Sequence, residues 1–172
     1  DVAVVYTLDT NFGDFTFKYN GSFTDEFDQE ATSQFAAMQA LADNGTIPES
    51  IPLQGFGDLL GKDGSLEEKH SYKVYFNAGQ WGASLSGLTK GDFVQSKFGT
   101  INGVGYTIPE MTTMDLAVWG KFDLDGKEAR VKYTIKNFED ERAPLADGYQ
   151  GYFSDIHQDL GMIHQLELRI RF

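Results

Sequence analysis

Apolar and polar residues alternate along most of this chain, which is the pattern of β-strands with one apolar face. The last stretch, HQLELRIRF, places leucine, isoleucine and phenylalanine at every second position, with charged residues between them. The stretch GDFTFKYNGSFTDEF at 13–27 does the same with aromatic residues. Further alternating segments begin near residues 2, 71, 81, 114 and 129. The pattern therefore predicts about seven strands.

The connections between these strands alternate strictly between short and long. Tight turns are expected at 10–13, 77–80 and 123–126, and long connections at 28–66, 96–111 and 139–161. A soluble sandwich does not need this asymmetry, because both of its ends face water. Outer-membrane barrels show it as a rule, with short periplasmic turns and long external loops. The expected fold class is therefore all-β, a transmembrane antiparallel β-barrel.

The number of strands indicates a larger barrel. Bacterial single-chain barrels usually have an even number of strands, and seven is odd. Seven strands with two open edges could not lie alone in lipid, because unpaired backbone groups are costly there. The chain also starts on a strand, with no initiating Met and no basic leader. We therefore expect residues 1–172 to be the C-terminal part of a longer barrel.

Composition excludes several classes of function. The net charge of -12 argues against nucleic-acid binding, which rewards a basic surface. The absence of cysteine excludes disulfide scaffolds, thiolate metal sites and cysteine nucleophiles. No arrangement of a nucleophile and a base, and no metal-ligand spacing of the three histidines, is present in the sequence. We therefore expect no enzyme activity, no cofactor and no resident metal.

The parity of each strand predicts which side chains face lipid and which face the lumen. An arginine at the middle of the lipid face costs roughly 2–4 kcal/mol, so the two faces should be kept apart strictly. The lipid-facing set includes Phe15, Phe17, Tyr19, Val131, Tyr133, Ile135, Leu168 and Ile170. The lumen-facing candidates are Lys18, Asp115, Trp119, Arg130, Lys132, Lys136, Glu167, Arg169 and Arg171.

The C-terminal part of the chain resembles the end of TonB-dependent outer-membrane receptors. In that family the penultimate strand runs into an Asn- and acid-containing segment with proline, then a Gly/Tyr-rich loop and a last strand that ends in Phe. The matching positions are Asn137, Phe138, Asp140, Glu141, Pro144, Leu145, Gly148, Tyr149, Gly151 and Tyr152. The segment HSYKVYFNAGQWGASLSG is also similar to a strand–turn–strand of the family, with its Gly-x-Trp turn at Gly79 and Trp81.

This resemblance implies uptake across the bacterial outer membrane. The family fold is a barrel of about 22 strands around an N-terminal plug domain, which residues 1–172 do not contain. The external loops capture a scarce ligand, such as a siderophore, a vitamin or an oligosaccharide, and the TonB complex then pulls on the plug. The implied partners are outer-membrane lipid and lipopolysaccharide, the rest of the barrel and the plug, the TonB complex and the small transported ligand.

Two groups of site residues follow from the resemblance. The terminal strand would be both the closing strand and the segment that the assembly machinery reads, through Leu166, Leu168, Ile170 and Phe172. The candidates for ligand capture in the last external loop are Tyr149, Tyr152, Phe153, Asp155 and His157.

The long connections carry most of the acid. Residues 25–68 hold ten Asp and Glu, against the single cation Lys62. We expect these carboxylates to be solvated and to interact with divalent ions among lipopolysaccharide head groups. A calcium site would need a ligand spacing that the chain lacks. Within this stretch, TSQFAAMQALADNG predicts a helix that Thr32 or Ser33 caps and Asn44-Gly45 ends, packed against the barrel rim.

Two other functions remain open from the sequence. One is a small stand-alone outer-membrane barrel, acting as a porin or an adhesin, which needs an even and closed set of strands. The other is a soluble, secreted β-sandwich that binds carbohydrate, which should purify without detergent. A soluble edge strand is also compatible with the terminal stretch when that stretch is taken alone.

Overall fold

The structure is a computed structural model that describes residues 1–48, 56–96 and 105–171. Its elements are β1 (Val2–Thr10), β2 (Gly13–Phe23), β3 (Asp28–Gln29), α1 (Ser33–Asp43), β4 (Gly57–Asp58), β5 (Glu68–Ala78), β6 (Trp81–Lys90), β7 (Phe93–Gln95), β8 (Tyr106–Ile108), β9 (Met111–Leu124), β10 (Lys127–Lys136) and β11 (Ile163–Ile170).

Seven long strands form one antiparallel sheet in the order β1-β2-β5-β6-β9-β10-β11. Each long strand pairs with the next one along the chain, so the sheet is a simple meander. The prediction of an all-β fold with seven alternating strands is confirmed. The sheet is open, because β1 and β11 lie at its two edges and do not pair with each other. Two small sheets, β3–β4 and β7–β8, lie within the long connections.

The strand register places the three tight turns at one end of the sheet. The first joins Thr10 to Gly13, and the backbone N–H of Lys121 donates to Gln80 O in the second turn at 2.8 Å. The end of the chain lies there too, since the N–H of Arg171 donates to Glu128 O at 3.0 Å. The long connections leave from the opposite end. The predicted separation of short and long connections is confirmed, while Phe172 lies outside the described residues.

Register also separates the side chains into two faces. One row of paired residues crosses all seven strands on the apolar face: Leu8, Phe15, Phe76, Ala83, Val118, Tyr133 and Leu166. The other parity forms the polar face, and all nine lumen-facing candidates belong to it. The alternation of apolar and polar residues in the sequence therefore corresponds to one continuous apolar face and one polar face of the sheet.

Two glycines of β6 let aromatic rings lie flat on the sheet. A Cβ at Gly87 would overlap the ring of Tyr72 on the apolar face. A Cβ at Gly82 would overlap the indole of Trp119 on the polar face. In each case the ring lies on the neighbouring strand and covers the backbone that the glycine leaves bare, an arrangement that helps to fix strand register.

The largest fully buried side chains lie at the long-connection end, outside the seven-stranded sheet. Phe93, Ile108 and His157 are at most 1% exposed. They belong to residues 61–64, 93–96, 106–108 and 145–157, which we call the loop cluster. Phe93 meets Phe153 edge to face, with ring centroids 5.1 Å apart. The long connections therefore build a small core of their own.

Several local expectations need adjustment. The alternation at 13–27 predicts a strand as far as Phe27, but β2 ends at Phe23, where Asp25 and Glu26 interrupt the aromatic pattern. The predicted helix is confirmed as α1, with the Thr32 side chain accepting from the N–H of Phe35. Its expected packing against a rim is not observed, because α1 buries none of its residues. Phe35 instead lies 5.3 Å from Phe56 between ring centroids.

No helix in the described part of the chain is long and apolar enough to cross a membrane.

Candidate functional surfaces

The apolar face of the sheet is exposed along its whole width. Trp81 is 69% exposed, Leu166 75% and Leu168 61%, and every one of the seven strands contributes further exposed or half-buried apolar side chains. No described segment of the chain covers this face. Soluble monomers rarely expose contiguous apolar patches larger than a few hundred Å². This face is therefore suited to contact with an apolar environment.

The apolar face has the height that a bilayer requires. On β9 the apolar parity runs from Met114 to Leu124, ten residue steps. At about 3.4 Å per residue and a tilt of about 40°, this strand spans about 26 Å, close to the apolar band of roughly 25 Å in outer-membrane barrels. Aromatic rings cluster near the short turns, where Phe15 lies 4.8 Å from Phe76 and 6.0 Å from Phe12 between centroids.

Two tyrosine–histidine pairs lie on the apolar face, displaced towards the long connections. The hydroxyl of Tyr19 is 2.9 Å from Nδ1 of His70, and that of Tyr133 is 2.7 Å from Nδ1 of His164. Both pairs stack diagonally across neighbouring strands with centroids 6.0 Å apart. Such amphipathic rings suit a boundary between an apolar layer and water. His164 thereby acquires a partner that its place in the sequence alone does not reveal.

Aromatic rings hold several cations on the polar face. Lys73 and Lys18 lie 4.7 and 5.6 Å from the ring centre of Tyr75. The guanidinium of Arg130 lies 5.2 Å from the ring centre of Trp119. Arg169 pairs with Glu167 at 3.1 Å. Lys73 and Lys121 share this face with the predicted lumen candidates, and their strand parity would have been enough to add them to that set.

The structure does not bring the predicted loop ligands together. Tyr149 is fully exposed and Asp155 is exposed, both on the outside of the loop cluster. Tyr152 pairs with Leu145 in an isolated bridge, and Phe153 packs on Phe93. The ring of His157 is fully buried against Phe93, with centroids 6.0 Å apart, so a ligand approaching from solvent does not reach it.

His157 is buried without a hydrogen bond to either ring nitrogen among the described residues. Burial, with a contribution from the nearby Lys90 ammonium, lowers the pKa of this imidazole. The Lys90 ammonium also donates to the carbonyl of Ile156, next to His157. The neutral ring therefore serves as a flat packing surface in the loop cluster, and a proton on it would be unfavourable.

The segment that carries the family resemblance is organised by its own polar side chains. Asn137 adopts a positive φ of 49°. Its side-chain amide donates to Glu141 O at 2.8 Å and accepts from the N–H of Glu141 at 3.0 Å. Asp140 accepts from the N–H of Met162 at 2.8 Å, which ties the start of the long connection to its end. The two ends of the last long connection are thus held together where they leave the sheet.

An exposed bidentate ion pair closes the same connection. Arg142 donates two bonds to Asp159, at 2.6 and 2.5 Å. The guanidinium, with the N–H of Ala143, lowers the pKa of the Asp159 carboxyl to about 2. The carboxylate therefore stays ionised through any physiological pH, and the pair is maintained.

A buried amide joins two long connections. The Gln95 side chain is 3% exposed, and it donates to Asp147 O at 2.6 Å while accepting from the N–H of Asp147 at 2.9 Å. Asp63 similarly accepts from the N–H and hydroxyl of Ser96. These contacts span distant stretches of sequence, and no local pattern marks them in advance. They fix the loop cluster as one unit.

A hollow of about 220 Å³ lies where the last long connection overhangs the polar face. Lys90, Asp115, Lys136 and Gln158 are among its lining residues. Asp115 also accepts from the N–H of Asn137 at 2.9 Å, which places its charge beneath the overhang. None of the five predicted loop ligands lines this hollow. Within the described ranges, no three His, Asp or Glu residues lie where they could hold a metal ion.

The last strand has the amphipathic edge that the sequence predicts. Leu166, Leu168 and Ile170 lie on the apolar face, and Gln165, Glu167 and Arg169 lie on the polar face. Its outer edge is free of backbone pairing among the described residues. The fourth member of the predicted assembly signal, Phe172, lies outside the described residues.

Comparison of the chain with protein-family models, with curated proteins and with solved structures found no match.

Proposed function

We propose that this sheet is part of the wall of a bacterial outer-membrane β-barrel, with its apolar face in lipid and its polar face towards the lumen. The observation that carries the proposal is the continuous, uncovered apolar face over all seven strands, backed by a face of charged and polar side chains. The height of the apolar band and its aromatic side chains support the same placement.

The free edges of β1 and β11 favour a larger barrel over a stand-alone one. In lipid, each unpaired backbone group at these edges lacks any partner, so the edges need neighbouring strands. A closed seven-stranded barrel would pair β1 with β11, and these two strands lie at opposite edges of the sheet. We therefore place the seven strands beside further strands of the same wall.

We further propose that the barrel belongs to a TonB-dependent receptor that takes up a scarce ligand. The support is the resemblance of residues 129–172 to the C-terminal end of that family. The matching positions run from Asn137 through the Gly/Tyr-rich loop. The ordered loop cluster at the long-connection end would form part of the external surface that meets the ligand. The plug domain would supply the contact with TonB.

Membrane fractionation of the intact protein tests the first part of the proposal. It should sediment with outer membranes, resist alkaline carbonate extraction, and migrate differently on gels with and without heating, as folded barrels do. Recovery in the soluble fraction without detergent would contradict the placement of the sheet in the outer membrane.

Binding to the purified periplasmic domain of TonB tests the second part. The intact protein in detergent should retain this domain on a column, and an unrelated porin should not. Membrane insertion without TonB binding would favour a porin or an adhesin and would exclude the receptor proposal.

A further inference from the structure

Two hollows meet on the polar face near the short turns. Their volumes are about 340 and 190 Å³, and Lys121 and Arg130 line both of them. Among their lining residues, Glu128 is the one carboxylate. The cations that line them are Lys73, Lys121, Arg130, Lys132, Arg169 and Arg171. We call this double hollow the cationic trough.

The charge of the trough is opposite to that of the chain. The protein has 26 acidic residues against 14 Lys and Arg, and its net charge is -12. Six of those 14 cations nevertheless line one trough, while acid is concentrated in the long connections at the other end of the sheet. Because the net charge of the chain is negative, side chains distributed at random would on average make this surface negative.

Three cations lie in one row across neighbouring strands. Arg130 pairs in register with Lys121 on β9 and with Arg169 on β11. Like charges directly opposite each other destabilise a sheet. Neither Lys121 nor Arg130 forms an ion pair with any residue in the described part of the chain. An anion bound to this row would offset the repulsion.

Arg130 is held in place before any anion arrives. The indole of Trp119 occupies the space over Gly82, and the Arg130 guanidinium lies 5.2 Å from the indole ring. Its Nε is buried and has no hydrogen-bond partner among the described residues. A guanidinium fixed by an aromatic ring loses less freedom on binding, and its fork suits phosphate and carboxylate oxygens.

We propose that the cationic trough binds a small solute that carries two or more phosphate or carboxylate groups. Adjacent strands lie about 4.8 Å apart, so the row of three cations extends about 10 Å and suits neighbouring anionic groups on one molecule. The inference goes beyond the proposed function. It holds whatever the apolar face contacts, because the trough lies on the opposite face.

Isothermal titration with pyrophosphate, and separately with citrate, tests the site on the purified full chain in mild detergent at low ionic strength. The parent should bind at least one of them saturably. The double variant Lys121→Gln/Arg130→Gln should bind at least about tenfold more weakly, because each change removes a charge-assisted contact. The matched double variant Lys62→Gln/Lys69→Gln removes the same charge outside the trough and should bind like the parent.

A single variant keeps the test informative if the double variant folds poorly. Arg169 is exposed, so Arg169→Gln should preserve the near-ultraviolet circular dichroism of the parent and still weaken binding. Absence of saturable binding by the parent, or equal weakening in the two double variants, would overturn the proposal. A polyglutamate peptide that binds more tightly and displaces pyrophosphate would also overturn it, since the occupant would then be a polypeptide. None of these outcomes depends on membrane insertion.

Discussion

The effect of substituting a residue of the sheet depends on the face on which its side chain lies. Val131 and Thr134 lie three positions apart on β10, and this odd spacing places them on opposite faces of the sheet. Parity was readable in the sequence, and it assigned all nine lumen candidates to one face. The partners of these side chains were not readable, since the contacts of Arg130 with Trp119 and of Tyr133 with His164 depend on how the strands align.

The first prediction compares one substitution on the two faces. Val131→Arg should impair assembly of the intact protein into the outer membrane, because an arginine on the lipid face costs roughly 2–4 kcal/mol. Thr134→Arg adds the same side chain to the polar face of the same strand and should assemble nearly normally. The measurement is the heat-modifiable fraction in isolated outer membranes. Equal loss in both variants would contradict the assignment of faces.

The second prediction concerns the pH dependence of the loop cluster. The buried imidazole of His157 has a lowered pKa, so the unfolded loop binds more protons than the folded one below the usual His pKa of about 6.5. The folded loop cluster should therefore lose stability as pH falls below that value and should be insensitive to this group above it. His157→Phe keeps a flat ring against Phe93 and should remove the effect.

Hydrogen exchange of residues 145–157 at several pH values measures this effect. His70→Phe provides the control, because His70 lies on the sheet and should leave the pH dependence of the loop cluster unchanged. A loss of protection at acid pH, after correction for the intrinsic exchange rate, that persists in His157→Phe would show that another group is responsible.

At the scale of elements, the seven long strands were predictable and the short ones were not. A strand of eight or more residues with one apolar face leaves a period of two in the sequence, whereas β3, β4, β7 and β8 have two or three residues each. Those short strands pair within single long connections, β3 with β4 and β7 with β8, and are too short to show a period. Gln95 and Asp147 are far apart in sequence, and their contact has no local signal. The helix α1 was predictable, because its cap and its terminating Asn44-Gly45 are local.

The third prediction concerns the amide that joins two long connections. Gln95→Ala removes two part-buried hydrogen bonds to the backbone of Asp147 and should destabilise the loop cluster by about 1–3 kcal/mol, because each such bond contributes about 0.5–1.5 kcal/mol. Limited proteolysis should then cut within residues 144–152. Gln39→Ala removes an exposed bond on α1 and should leave the cleavage pattern unchanged. Resistance equal to the parent would mean that other contacts hold the loop cluster.

The fourth prediction concerns a glycine beneath an aromatic ring. Gly87→Ala would drive a methyl group into the ring of Tyr72 and should lower the free energy of unfolding by about 1–3 kcal/mol. Ser86→Ala, the neighbouring position on the polar face, should change it little. Urea unfolding in detergent, followed by tryptophan fluorescence, measures both. An unchanged midpoint for Gly87→Ala would show that the ring moves aside freely.

At the scale of the whole molecule, the stability of the sheet depends on the environment of its apolar face. Among the described residues no second layer covers the sheet, the largest fully buried side chains lie in the loop cluster, and the polar face holds the cationic trough. Such an arrangement is stable if the apolar face is covered, and lipid is the covering that we propose. The alternation in the sequence indicated the amphipathic sheet, and the alternation of turn lengths indicated which end carries the loops.

The most direct test of lipid contact uses spin labels on single introduced cysteines, and residues 1–172 contain no cysteine of their own that would compete for the label. Labels would be placed in turn at Val131, Lys132, Tyr133 and Thr134 of the intact protein in native outer membranes, and their collision rates with oxygen and with a water-soluble nickel complex would be compared. We predict a period of two, with oxygen favoured at Val131 and Tyr133 and the nickel complex favoured at Lys132 and Thr134. High access of the nickel complex at all four positions would contradict the placement of the apolar face in lipid.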